Sequence, residues 1–223
     1  MTDDDFSELE DFDDLARWQR MLDDPKPTDY FIHLALTSDD PARYVEAIQT
    51  LQVRGTPDVL NAARELCGSV LPHERKLGAV ILSQLGDTAP ILRVARRLRM
   101  MGDEELRAYA DKLYARFGAG SEALRAYPKE ALSILLPMLE SEEDVDTLRE
   151  VLCAVAEYQE FHPSITPRIA AHRTHPDPRV RFTVSTRLGM DLQNPVAQQA
   201  LAELANDDDE SVAQIAKTWL RLY

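Results

Sequence analysis

The chain has 223 residues, 44% of them apolar, with 25 Lys or Arg against 39 Asp or Glu and a formal net charge of −14. That length supports a sizeable core without disulfide staples. So acidic a composition repels phosphate backbones and anionic lipid, which sets general nucleic-acid binding and membrane docking aside and leaves a basic protein partner open.

The excess charge is local, since residues 1–24 hold ten acids against Arg17 and Arg20. Met1-Thr2-Asp3-Asp4-Asp5 lacks the basic and apolar regions of a secretory signal, and runs such as Val151 to Ala156 are far too short to span a bilayer. A cytoplasmic protein is expected. Cys67 and Cys153 both sit in apolar helical runs, so buried free thiols are expected rather than a disulfide framework.

The first predicted helix covers 7–22, where Phe6, Leu9, Phe12, Leu15, Trp18 and Leu22 alternate with acids and Leu15, Trp18 and Leu22 share one face. Residues from about Asp13 to Leu22 are expected to dock as a helix capping the first repeat. Residues 3–14 are left as an acidic-aromatic recognition arm, which makes Asp11, Asp13, Asp14 and Trp18 candidate partner-binding residues.

Beyond this segment, glycine and proline organise the chain. Asp40-Pro41, Thr56-Pro57, Asp177-Pro178 and Asn194-Pro195 read as helix starts, in which a side-chain oxygen precedes a proline at the first helical position. Gly55, Gly68, Gly86, Gly102, Gly118 and Gly189 read as stops. Apolar residues between these marks recur at three and four, with no sustained period-two alternation. The predicted helices cover 28–37, 40–54, 57–67, 72–85, 88–101, 103–117, 129–140, 142–158, 163–174, 177–188, 195–206 and 208–222.

These fall into six pairs. Their second helices open near Asp40, Glu74, Asp103, Glu143, Asp177 and Asp209, at spacings of 34, 29, 40, 34 and 32, with the long step assigned to an insertion from Gly118 through Pro128. Helical pairs at a period near 34 residues indicate a solenoid, because one pair cannot bury its apolar face alone.

Residues inside the repeat select a family. The stretch from Asp177-Pro178-Arg179-Val180-Arg181 to Leu188-Gly189 resembles the second helix of a short HEAT-like repeat, with an acidic cap, Val-Arg and a closing Leu-Gly. Leu77 to Gly86 keeps the same register, and Ile134 to Leu139, with Pro137 inside, resembles a first helix. The tetratricopeptide and ankyrin patterns are absent. The resemblance, to short HEAT-like repeats of the phycobilisome-lyase type, covers about residues 28–222. It implies an all-α, right-handed α-solenoid of about six antiparallel helix pairs with an N-terminal capping helix: residues 1–24 as arm and cap, 25–223 as solenoid.

Candidate chemistry is sparse. Gly118-Ala119-Gly120-Ser121 follows a helix rather than the strand a dinucleotide fingerprint needs. His162 and His175 precede prolines at repeat turns, and His172 lacks the partners of a metal motif. Asp207-Asp208-Asp209-Glu210 lacks the glycine and terminal glutamate of a calcium loop and reads as helix capping. His73-Glu74 is one pair where the HEAT-like deoxyhypusine hydroxylases need several. No catalytic residue, metal or cofactor is assigned.

Arg107 and Arg181 occupy repeat-equivalent positions and, with Arg187, Lys217 and Arg221, form a candidate binding stripe. The competing reading is a structural ladder in which Arg181 pairs with Asp177 or Asp209, helped by acids opening and bases closing each helix. The expectation is a non-enzymatic scaffold for a protein partner, in a narrower form an immunity-type inhibitor of a basic protein. The alternative is a lyase-like or base-excision-like enzyme on the same fold.

Overall fold

The computed structural model describes residues 17–87, 89–100, 104–117, 127–159 and 162–222. All regular structure among them is helical. Residues 17–23 form α1, followed by α2 (Thr28–Thr37), α3 (Pro41–Arg54), α4 (Pro57–Cys67), α5 (Pro72–Ser83), α6 (Ala89–Met100) and α7 (Glu104–Phe117). Then come α8 (Pro128–Ser141), α9 (Val145–Ala156), α10 (Ile165–Ala171), α11 (Pro178–Leu188), α12 (Pro195–Leu204) and α13 (Glu210–Leu222). Short 3-10 turns follow α10 and α11. No helix among the described residues is long and apolar enough to cross a membrane.

The starts are chemically as the sequence implies. The carboxylates of Asp40 and Asp177 accept the N–H groups of Ala42 and Arg179, and Asn194 accepts that of Val196, each with proline at the next position. Gly55 ends α3 in the left-handed conformation at φ 52°. Gly189 ends α11 as expected, but not in the left-handed conformation: its backbone is right-handed and continues into the 3-10 turn. It is glycine because a Cβ there would lie 2.2 Å from the Trp219 ring.

The chain divides into two compact units. One takes residues 1–62 and 84–128, the other 63–83 and 129–223, with the division falling within α4. In the first, α2 packs on α3 and α6 on α7. Arg54 lies over the Phe31 ring at 4.5 Å and donates to the carbonyls of Met21 and Lys26, tying the α1–α2 connection to α3. Trp18 packs against a core of Ala95, Leu98 and Ala110. Trp18 thus meets the α6–α7 pair, while Arg17 of the same helix reaches Gln49 on α3. Met21, outside the predicted stripe, is buried, Leu22 is half-buried, and Leu15 lies outside the described residues.

In the second unit the second helices stack in the order α5, α9, α11, α13, and α10 packs on α12. This is the α-solenoid arrangement, in which each helix buries its apolar face on its neighbours. One step departs from the predicted order. Helix α5 packs directly on α9, so the excursion placed at 118–128 in fact takes in α6 and α7. The α5–α9 seam is specific as well as apolar: Tyr158 is fully buried and donates to the Leu82 carbonyl, and Thr147 Oγ1 donates to the Pro72 carbonyl at 3.0 Å.

Gly78 fixes the approach of α4 to α5. A Cβ there would meet Cys67 Sγ at 2.7 Å and the Ala63 carbonyl oxygen at 2.8 Å. In an open helix Gly→Ala stabilises by about 1 kcal/mol; here the backbone oxygen cannot yield, and Gly78→Ala is expected to destabilise by about 1–3 kcal/mol in denaturant unfolding. A gain in stability would mean that the two helices are not held this closely.

Candidate functional site

The most organised polar chemistry among the described residues is a pair of matching guanidinium–carboxylate bridges along the second-helix stack. Arg75, on the first turn of α5, donates from Nε and Nη2 to Glu142 in the α8–α9 loop at 2.7 and 2.6 Å. Its Nη1 reaches the Ser69 and Val70 carbonyls of its own entry turn. Arg181, on the first turn of α11, repeats this with Asp207 in the α12–α13 loop at 2.7 Å for both bonds, and with the carbonyls of His175 and Pro176. Bidentate pairing of this kind is the strong form of the ion pair.

The register is regular. Each arginine stands four residues after the helix cap, and each acceptor two residues before the cap of the next helix in the stack. That acceptor also binds the cap's own N–H: Glu142 takes it from Asp144 at 2.9 Å and Asp207 from Asp209 at 2.9 Å. The bridges are largely dry, with side-chain exposures of 21% and 3% for Arg75 and Glu142 and of 16% and 8% for Arg181 and Asp207. Bonding to arginine holds the carboxyls of Glu142 and Asp207 below the ordinary carboxylate range.

The structure places most of the candidate residues. Arg181 is a ladder arginine whose partner is Asp207, and neither Asp177 nor Asp209, because those two carboxylates are occupied in capping α11 and α13. Capping accounts for only part of the acid run at 207–210, since Asp207 belongs to the bridge. Arg107 is exposed and makes no hydrogen bond or ion pair with the described residues. Arg187 donates to Cys153 Sγ at 3.0 and 3.3 Å, with Glu157 at 3.9 Å, across the α9–α11 seam. Lys217 and Arg221 are exposed on α13 at the register where α11 carries Ser185 and Gly189, small residues that face its successor. They therefore do not join Arg181 and Arg187 in one stripe. Trp18 is half-buried in the first unit, and Asp11, Asp13 and Asp14 lie outside the described residues, as does Gly118-Ala119-Gly120-Ser121.

Sequence reasoning missed Arg75 and Glu142. The detectable signal is the pairing of an arginine four residues after one cap with an acid two residues before another, but the partners are 67 positions apart. The remaining chemistry is structural. Both cysteines are free; burial pushes the Cys67 thiol up to about 12 and also raises that of Cys153 against the opposing pull of Arg187. Among the described residues no group of three or more His, Cys, Asp or Glu is placed to hold a metal ion. Glu74 accepts from Ser69, and His73 is exposed.

Stacked helix pairs joined through their loops define an α-helical repeat protein. Residues 118–220 match the model of the HEAT repeats family, and that stretch is similar to HEAT repeats. Among solved structures, YibA of E. coli is 18% identical, with 91% of this chain and 72% of that one covered at a TM-score of 0.42. Human deoxyhypusine hydroxylase in complex with glycerol is 16% identical over 97% and 98% of the two chains, at 0.28. A designed armadillo repeat protein is 13% identical over 87% and 99%, at 0.31. No curated protein matches the sequence.

Removing one partner of a dry bridge strands the other, so Arg181→Ala or Arg75→Ala is expected to cost on the order of 3 kcal/mol in denaturant unfolding. Arg107→Ala should leave unfolding unchanged. Because both bridge carboxyls are depressed in the fold, their contribution is complete above the ordinary carboxylate range and is lost as pH falls through the native values. The arginine variants should therefore show a shallower fall in stability below about pH 4.5 than the parent; equal slopes would detach the bridges from acid stability.

Proposed function

We propose that the chain is a non-enzymatic scaffold that binds a protein partner across the second-helix layer of its second unit. The observation carrying this reading is a groove of about 250 Å³ lined by Arg149, Pro178, Arg179, Phe182, Asp209 and Ser211. Phe182 is 39% exposed at a register where α5 carries Lys76 and α13 carries Gln214. An aromatic at one point of an otherwise polar layer is the usual form of an interaction anchor.

The surroundings support a basic partner. Asp146, Asp208, Asp209 and Glu210 lie near the groove at the helix starts, while Arg179 is engaged by Asp146 and Asp177 and Arg149 by Asp146 and Thr183. A net charge of −14 would speed association with a cationic surface. An inhibitor or immunity-type role in the cytoplasm, masking a basic protein, agrees with both features, and the acid-rich residues 1–24 would add steering.

The test is affinity capture from the native host, followed by titration of the purified partner. Phe182→Ala should weaken binding at least tenfold, about 1.4 kcal/mol, with little change in melting temperature, and added salt should slow association. Unchanged affinity of the Phe182 variant would remove this groove from the interface, and a partner with an acidic surface would overturn the charge argument.

A further inference from the structure

One junction in the second-helix stack lacks its bridge. Before five of the second helices, two residues ahead of the cap, stands a side chain that accepts the cap's N–H: Ser38 for Asp40, Ser69 for Leu71, Glu142 for Asp144, His175 for Asp177 and Asp207 for Asp209. In the second unit, α5 supplies Arg75 to Glu142 and α11 supplies Arg181 to Asp207. At the intervening step α9 carries Leu148 at the arginine register, and the acceptor facing it in sequence order is His175. Both partners of the ion pair are replaced together.

The hydrogen bond fixes the state of this ring. A backbone N–H can only donate, so Nδ1 of His175, 3.1 Å from the Asp177 nitrogen, accepts and carries no proton. Ser69, Glu142 and Asp207 keep their acceptor oxygens throughout the neutral range, whereas an imidazole loses its acceptor when it gains a proton. We propose that His175 makes the α9–α11 junction a proton-sensitive joint: a proton on the ring breaks the bond to the Asp177 N–H and loosens the entry of α11 from the stack.

Among the charges around the ring, Asp177 is attracted to a protonated His175, but it and the other nearby carboxylates already have partners. On α11, Asp177 is engaged by Arg179, and Arg181 donates to the His175 carbonyl, placing a guanidinium beside the entry turn. On α9, Asp146 is shared by Arg149 and Arg179. Within the turn stand Arg173, bound to Glu203 of α12, and His172, whose own charged form is disfavoured by burial and by the nearby His175. From the α12–α13 loop, Asp207 is held by Arg181. A proton on His175 therefore meets carboxylates already paired. His162 makes a similar turn before α10, accepting from the Ser164 N–H at 3.4 Å, but it is exposed and serves a first helix, so it acts as an internal comparison.

The experiment follows the full chain by NMR and amide hydrogen exchange between pH 7.5 and 5.5, corrected for intrinsic rates. The Asp177 amide shift should titrate with the His175 ring, its protection should fall at least tenfold at the lower pH, and the melting temperature should drop by about 2–4 °C. His175→Asp, which supplies the carboxylate acceptor seen at Asp207, should abolish these responses. His175→Asn, whose amide oxygen accepts at either pH, replaces it should the aspartate variant fail to fold. His172→Gln should retain the Asp177 response. Constant protection of the Asp177 amide in the parent, or an unchanged pH response in the folded His175 variant, would overturn the proposal.

Discussion

The contact that organises the second unit is the guanidinium fork laid across a loop carboxylate. An arginine on the first turn of one helix binds its own entry carbonyls and the acceptor preceding the next cap, so a single side chain registers two helices and the loop between their pairs. Burying such charges is costly unless every lone pair and proton is used. Glu142 and Asp207 meet that requirement by accepting a cap N–H as well as the fork. The strength of the bridge and its exacting geometry have the same origin, so sliding one helix along another by a single residue would strand both charges.

This arrangement separates what holds the array together from what it can present. Arg75 and Arg181 are turned inward and satisfied, and Arg187 is spent on Cys153 and Glu157. The exposed part of the layer is then defined by one aromatic among paired charges. An arginine pattern in such repeats records the architecture first, and a partner is read from residues the ladder leaves unused.

Local structure was legible because its causes are local. Proline after an Asp or Asn marks a helix start through chemistry contained in three or four residues, and the helices predicted from residue 28 onward match the observed ones closely. The departures all depend on distant partners. Gly189 marks the end of α11, but the reason it is glycine lies in Trp219, thirty positions on, and not in a left-handed turn. Arg181 has three carboxylates within reach along the sequence, and the bidentate choice among them depends on which two are already capping helices. The adjacency of α5 and α9 was hidden because the intervening helices keep nearly the same period, so a regular pattern in the sequence continued across a break in the stack. Asp11, Asp13 and Asp14, read as part of an arm, lie outside the described residues.

The direct seating of α9 on α5 changes how the second unit can form. In an unbroken array each repeat needs only the one made before it, and order spreads by nearest neighbours. Here Arg75 must find Glu142 across 67 positions, about twice the repeat length, and the chain must close that loop before the seam returns any energy. Doubling a loop costs only about 0.6 kcal/mol in closure entropy, so the equilibrium penalty is slight. The kinetic one is larger, because non-local contacts raise the barrier to folding. On a ribosome, residues 63–83 emerge well before the helix that covers them, and must wait for the whole of 84–128 before their apolar side is sheltered.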